Sequence, residues 1–251
     1  MVSLVLTLSF IAEKLSPKLS GILSGLPVGS SITLIFFAIE NGVDYVTNVA
    51  LYNIHGLFAA LSFCIGYYIS TFYKGKLEVT LSLVTSFIFY LVIALILSYV
   101  PPHIVFTPLI VISLMLIATI YFSKKENYKI EKKEKISFSD LVFRSILTIT
   151  IFLIVSSLPQ YVSANLAGIF SAFPTILLPL LLIIHFRHSN LQARTIIKNT
   201  PFGLSSVVIY SLVVYFTYGP YGIFWGTIIA LIASVSYVAI QSKILKYFKI
   251  V

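Results

Sequence analysis

The chain has 251 residues, of which 59% are hydrophobic and only 10% charged, with a mean hydropathy of +1.02 and a net charge of +9. A water-soluble domain of this length is far less apolar, so the composition excludes that class and indicates a polytopic membrane protein. The apolar runs are continuous and lack ten-residue alternation, which argues against a β-barrel.

Nine apolar runs approach the about twenty residues that a helix needs to cross the hydrocarbon core. The first is short and lacks the basic n-region and small-residue cleavage site of a signal peptide, so we expect a retained first helix. The sequence therefore predicts an all-α membrane protein with about nine transmembrane helices, at approximately 2–16, 19–39, 50–73, 77–100, 103–123, 139–159, 164–186, 200–218 and 222–246.

With these spans, all 17 basic residues fall on one side of the membrane, whereas the opposite loops carry only Glu40 and Asp44. The positive-inside rule then predicts an outside N-terminus and a cytoplasmic C-terminus. The basic charge therefore indicates topology, with contact to anionic lipid headgroups as a secondary role, and does not indicate nucleic acid. The hydrophilic segment 124–138 is predicted to be a solvated cytoplasmic linker.

A nine-residue element at 19–27 recurs 147 positions later at 166–174, with Leu, Gly, Ile, Ser and Pro in the same places. The offset persists further along, where Gly56 corresponds to Gly203 and Gly75 to Gly222. A constant register across several helices indicates internal duplication. We therefore divide the chain into a four-helix repeat (1–100), a linking helix with the basic loop (101–138) and a second four-helix repeat (139–251).

One linking helix between two four-helix units makes the two copies face opposite ways. The charges agree, because Lys18 corresponds to Asn165, Lys198 to Leu51 and Arg187 to Glu40. Inverted-topology repeats are typical of secondary transporters. The alternative is that duplication only produced a larger helical bundle.

Each copy carries a Gly-x-x-Ser-x-x-Pro element inside an apolar span. Proline removes a backbone donor and glycine lets backbones approach closely, so predicted helices 2 (19–39) and 7 (164–186) should be broken and should meet near the membrane midplane. The alternative is tight helix packing with simple proline kinks. The predicted substrate-binding residues are Ser24, Gly25, Pro27, Gly29, Ser30, Ser31, Ser171, Pro174 and Thr175.

Candidate coupling residues are few, because the carboxylates fall at helix ends or in loops. Glu13 and His55 are retained, although Glu13 also fits an interfacial carboxylate and His55 a hydrogen-bonded interfacial histidine. Cys64 is the only cysteine, and no metal-ligand spacing or catalytic motif is present. The sequence therefore predicts no catalytic residue, no metal, no cofactor and no enzyme activity.

The string from Asn165 to Thr175, NLAGIFSAFPT, resembles the A-G-L-x-x-x-F-P-T signature of GlpM-type small bacterial inner-membrane proteins. The resemblance covers mainly predicted helices 6 to 9 and implies a four-helix unit, which is duplicated in this chain. Predicted helix 2 departs from the signature, because residues 25–29 read GLPVG. The resemblance implies no substrate.

These patterns favour a secondary transporter of the cell (plasma or inner) membrane that moves a small solute by alternating access, with its site between broken helices 2 and 7. Its expected partners are the lipid bilayer and a small-molecule or ionic substrate, with a homo-oligomer left open and nucleic acid excluded. A passive channel and a non-transporting membrane scaffold are the alternatives.

Overall fold

The computed structural model describes residues 17–75, 77–128, 138–187 and 189–247, and these ranges contain helices and no strand. The first predicted span with Glu13, and most of the hydrophilic linker, lie outside them. The elements, in chain order, are α1 (Pro17–Ser24), α2 (Val28–Asn41), α3 (Val43–Ser70), α4 (Glu78–Ser98), α5 (Phe106–Ser123), α6 (Phe138–Ser157), a 3₁₀ turn (Leu158–Gln160), α7 (Ala164–Ser171), α8 (Leu177–Arg187) and α9 (Asn190–Tyr247).

Six helical stretches among the described residues are long and apolar enough to cross a membrane. They are Pro17–Asn41 (α1 and α2 together), Val43–Ser70, Glu78–Ser98, Phe106–Ser123, Leu141–Gln160 and Asn190–Tyr247, and Leu177–Phe186 is a shorter apolar helix. The helical membrane class expected from composition agrees with this architecture.

The longest helix, α9, is a hairpin of two arms rather than one rod. At Gly222 the backbone leaves the helical region, with φ 72° and ψ 176°. The Ser205 hydroxyl donates to Gln241 Oε1 at 3.0 Å, although a straight helix would separate these residues by about 54 Å. The Tyr218 and Thr227 hydroxyls, at 2.7 Å, also pair across the turn. We call residues 190–221 the first arm and residues 223–247 the second arm.

The centre of the bundle is built by α3 and the first arm of α9. These two helices pack on each other, and each also carries a short half-helix, α7 on α3 and α1 on α9. In the most apolar stretches of α4, α5 and α6, at most a third of the residues are buried inside the protein. Large apolar side chains cover the outside of these helices. Such an apolar surface suits contact with lipid chains.

Two predicted helix starts are wrong by several residues. Helix α3 begins at Val43 rather than at 50, and α9 begins at Asn190 rather than at 200. Arg194 and Lys198 therefore lie on a helix, not in a loop. Hydropathy locates the apolar part of a helix, but a helix that projects beyond the hydrocarbon continues through polar residues.

The close contacts of the half-helices recur at the sequence offset of 147. A Cβ atom at Gly21 would lie 2.2 Å from Ile196 O, and one at Gly168 would lie 2.9 Å from Val49 O. Both Gly168 and Ile196 lie 147 positions after their counterparts, Gly21 and Val49. Each half-helix therefore packs on the central helix of the other half of the chain.

The second pair of contacts repeats this exchange. A Cβ atom at Gly203 would lie 2.1 Å from Ile22 O, and one at Gly56 would lie 2.2 Å from Ile169 O. Glycine is required at both positions, because a backbone carbonyl occupies the place of the side chain.

Candidate functional site

Both spans that contain the repeated element are interrupted, as the prolines and glycines predict. Helix α1 ends at Ser24 and α2 begins at Val28, whereas α7 ends at Ser171 and α8 begins at Leu177. We call residues 25–27 the first break and residues 172–176 the second break.

The two breaks share the same backbone hydrogen bonds. Val28 N–H donates to Leu26 O at 2.8 Å, and its counterpart Thr175 N–H donates to Phe173 O at 2.7 Å. Likewise, Ser31 N–H donates to Pro27 O at 2.7 Å, and Leu178 N–H donates to Pro174 O at 3.1 Å. Pro27 and Pro174 therefore accept the first backbone bond of the following half-helix, which leaves early amides of each without an intrahelical acceptor.

The first turn of α2 touches the second break inside the bundle. A Cβ atom at Gly29 would lie 2.5 Å from Thr175 Oγ1 and 3.9 Å from Thr175 Cβ. Thr175 is buried, as are Ser30 and Ser31 beside Gly29. The fold thus brings together residues of the predicted site that are about 145 positions apart in the chain.

Most hydroxyls of the predicted site bond within their own helix. Ser24 Oγ donates to Gly21 O at 2.9 Å, Ser31 Oγ to Val28 O at 2.9 Å, and Ser171 Oγ to Gly168 O at 2.6 Å. A hydroxyl keeps acceptor capacity after donating once, so these oxygens can still receive a bond from a ligand. Gly25 serves packing, because an added Cβ would lie 2.5 Å from Thr200 O.

Asn53 forms a polar link between three helices at the second break. Its Nδ2 donates to Ser171 Oγ at 2.6 Å, and its Oδ1 accepts from Ser211 Oγ at 2.7 Å. Asn53 and Ser211 are fully buried. The network joins α3, the end of α7 and the first arm of α9, and therefore holds the end of the half-helix in position. Our sequence prediction missed Asn53 and Ser211 because nothing in the spacing indicates which helix faces they occupy.

Tyr210, next to Ser211, carries a buried polar group of a different kind. Its side chain is 0% exposed. The hydroxyls of Ser31, Tyr218 and Thr227 lie near the Tyr210 hydroxyl. Polar side chains of α2 and of both arms of α9 therefore meet inside the bundle.

His55 is buried in α3 beside Gly56, where an added Cβ would lie 2.8 Å from Ala172 Cβ of the second break. Its Nε2 is 3.4 Å from Thr107 Oγ1 of α5, its ring lies between those of Tyr52 and Phe58, and its Nδ1 has no partner within the described residues. These contacts include none of the predicted substrate-binding residues. Its part in coupling stays a prediction, as does that of Glu13, which lies outside the described residues.

A histidine–carboxylate pair that the sequence did not indicate as a unit lies at the end of α8. His185 Nε2 is 2.7 Å from Glu78 Oε1, and His185 Nδ1 is 2.8 Å from the Tyr67 hydroxyl. His185 is buried, whereas the Glu78 side chain is 22% exposed. This series of hydrogen bonds joins α3, α4 and α8. It therefore connects the half-helix after the second break to both helices of the α3–α4 hairpin.

No cluster of three metal-ligating side chains is found within the described ranges. Comparison with protein-family models, with curated proteins and with solved structures gave no match for this chain.

Proposed function

We propose that this chain is a secondary membrane transporter that moves a small solute by alternating access, with the solute bound between the two breaks. The observation that carries the proposal is the contact between Gly29 and Thr175, which joins two interrupted helices inside the bundle. Interrupted helices expose backbone polar groups, and in a membrane interior such groups are tolerated where they are buried in protein or line a polar cavity.

The proposal includes two inverted four-helix repeats. It is supported by the contacts of the two half-helices. Half-helix α1 packs on the first arm of α9, half-helix α7 packs on α3, and the contacting positions of the two pairs differ by 147. Mutual contact of this kind is what a two-fold axis between two copies produces. In alternating access, the two repeats exchange conformations about such an axis, so that the solute site opens first to one face and then to the other.

The proposal also includes nine spans, an outside N-terminus and a cytoplasmic C-terminus. It is supported by contacts that gather basic residues at one end of the bundle. Arg194 donates to Thr71 beyond the end of α3, and Lys198 donates to Lys125 O beyond the end of α5. We propose that this end faces the cytoplasm of a cell membrane. The resemblance of the second half to GlpM-type proteins is kept as part of this proposal.

The small neutral or anionic class of solute follows from the side chains at the breaks. The Gly29–Thr175 contact includes the Thr175 hydroxyl, Ser30 and Ser31 follow Gly29 in the chain, and none of the nine predicted site residues carries a charge. Free amides at the start of α2 and α8 would favour an anionic group through the helix dipole.

The test uses a disulfide between the breaks. The distance of 3.9 Å between a Cβ at Gly29 and Thr175 Cβ lies within the roughly 3.5–4.5 Å range of disulfides. Because Cys64 is the only cysteine, Cys64→Ala gives a cysteine-free background in one step. In that background, Gly29→Cys with Thr175→Cys should cross-link on oxidation, and the matched pair Gly29→Cys with exposed Asn48→Cys should not.

The cross-linked protein is then reconstituted into liposomes and screened for solute uptake. We expect uptake of the transported solute to stop on oxidation and to return on reduction. Uptake that continues in the fully cross-linked protein would refute a path between the breaks.

The channel and scaffold alternatives are separated by labelling Thr175→Cys from each side of sealed vesicles with an impermeant thiol reagent. Alternating access predicts that saturating solute shifts the labelling from one side to the other. A channel would give equal labelling from both sides under all conditions, and a scaffold would give neither labelling nor uptake.

A further inference from the structure

A cavity of about 120 Å³ lies at the basic end of the bundle, away from the two breaks. It is lined by α1, by the end of α5 and the residues after it, and by the first arm of α9. The polar residues that line it include Lys18, Thr119, Asn127, Lys198 and Asn199. The volume corresponds to roughly four water molecules, which is the scale of one phosphate or sulfate group.

Lys198 brings a positive charge into this cavity. Its residue exposure is 3%, and its Nζ donates to the backbone oxygens of Phe122, at 3.3 Å, and Lys125. The Phe122 carbonyl belongs to the last turn of α5 and that of Lys125 lies just after it, so Lys198 caps that helix. An ammonium group has three donors, and these two bonds leave one for the cavity.

The two capping bonds use two of the three donors of Lys198 and do not balance its charge. Both acceptors are neutral carbonyls, and the second ammonium group at the cavity, that of Lys18, adds charge of the same sign. Glu126 attracts Lys198, but it is exposed and does not line the cavity. Among the described residues, the carboxylate that acts on Lys198 is therefore an exposed one outside the cavity. A buried charge that is only partly balanced is costly, so the site favours an anion over a cation or an apolar group.

Thr119 provides an independent indication of a ligand. Its residue exposure is 6%, and its Oγ1 is buried without a hydrogen-bond partner within the described residues. The same threonine lines the cavity. Because buried hydroxyls are nearly always bonded, a polar group inside the cavity would complete it.

We propose that this cavity, which we call the basic cavity, binds a small oxyanion of the phosphate or sulfate type. Lys198, Lys18 and Thr119 would donate to its oxygens, and Asn127 would close the site from the linker side. The proposal concerns a second site and does not depend on transport between the breaks. The oxyanion is either free in solution or the headgroup of an anionic lipid, since both present the same oxygens.

The cavity has no charged counterpart at the other end of the bundle. Positions 147 away from Lys18 and Lys198 are Asn165 and Leu51, and the Asn165 amide donates to Ser98 O at 3.2 Å. These two positive charges are therefore specific to one end of the bundle, as expected for a site that binds a ligand on one side of the membrane.

The test measures the thermal unfolding midpoint of the purified full-length protein in neutral phosphatidylcholine nanodiscs. Sodium phosphate is titrated against sodium chloride at equal ionic strength, because a ligand that binds the native state raises the midpoint with its concentration. A second set of nanodiscs contains phosphatidylglycerol and no added phosphate. We expect phosphate, or the anionic lipid, to raise the midpoint where chloride does not.

The decisive variant is Thr119→Val, which keeps the shape and removes the unpartnered hydroxyl. The ligand-free midpoint should be unchanged or higher, whereas anion affinity should fall about tenfold, because a hydrogen bond to a charged group is lost. Lys18→Met should also weaken binding about tenfold. Lys198→Met removes a helix cap as well, so its ligand-free midpoint should fall. The matched control is Lys125→Met, which removes an exposed charge at the same end.

Each possible result of these measurements either supports or overturns the proposed oxyanion site. Stabilisation by phosphate that Thr119→Val and Lys18→Met weaken, and Lys125→Met does not, supports a free anion. The same pattern with phosphatidylglycerol alone supports a lipid headgroup. Equal effects of phosphate and chloride, no effect of either phosphate or anionic lipid, or stabilisation that survives Thr119→Val and Lys18→Met would overturn the proposal.

Discussion

Replacing Gly203 by alanine should destabilise the protein by pushing α1 away from the first arm of α9. The added Cβ would lie 2.1 Å from Ile22 O, and ordinary contact begins at 3.4 Å, so the two backbones must separate by about 1.3 Å. Overpacking costs about 1–3 kcal/mol, and we take about 3 because the obstacle is a backbone atom. Alanine recovers about 1 kcal/mol of helix propensity.

The net loss for Gly203→Ala is therefore about 2 kcal/mol, or roughly 4–8 °C in the thermal unfolding midpoint. The assay is the unfolding midpoint of the purified protein in detergent, measured by tyrosine and tryptophan fluorescence. Gly56→Ala should lose a similar amount, because its Cβ would lie 2.2 Å from Ile169 O.

Gly219→Ala is the matched control for this prediction. It lies in the same helical arm, and an added Cβ there would meet nothing within 4 Å. Alanine should therefore leave the midpoint unchanged or raise it by the gain in helix propensity. If Gly203→Ala and Gly219→Ala had the same midpoint, close backbone packing would not hold the half-helix, and the reasoning would be refuted.

Three further substitutions test other parts of the structure by the same assay. Asn53→Leu removes both hydrogen bonds to its serine partners and should lower the free energy of unfolding by about 2 kcal/mol. The control, exposed Asn48→Leu, should leave it unchanged, and equal midpoints for the two variants would contradict a stabilising network. Glu78→Gln weakens the bond to its buried histidine partner and should cost about 1 kcal/mol, with exposed Glu40→Gln as control; no difference would show that the pair is dispensable. Gly222→Ala should cost about 1–3 kcal/mol because φ 72° with ψ 176° is a conformation that essentially only glycine adopts, and an unchanged midpoint would argue against this turn geometry.

The sequence predicted the breaks correctly because their cause is local. A proline within an apolar span deletes a backbone donor wherever the span lies, and the glycines beside Pro27 lower the cost of leaving the helix. The second break was predicted for the same reason, since Pro174 repeats the position of Pro27. No knowledge of neighbouring helices was needed for either prediction.

The polar partners inside the bundle could not be predicted in this way. Asn53 and Ser211 are 158 positions apart, and whether they meet depends on how each helix is rotated about its axis. These helices are apolar on most of their sides. Their hydrophobic periodicity is therefore weak and gives little information on how each helix is rotated. The same limit applies to Glu78 and His185, which are 107 positions apart.

At two glycine positions that are 147 residues apart, the backbone leaves no alternative to glycine. Gly56 and Gly203 each face a carbonyl at about 2 Å from the place of a Cβ, so any larger residue would displace a helix. Lys198 and Leu51 are also 147 positions apart, but they differ in charge. Packing constraints are shared by two copies whichever way they face, whereas solvent, lipid headgroups and ligands differ between the two ends. The inverted duplication that we propose would therefore preserve its symmetry at glycine contacts inside the bundle and acquire its distinct chemistry at the ends, where the basic cavity lies.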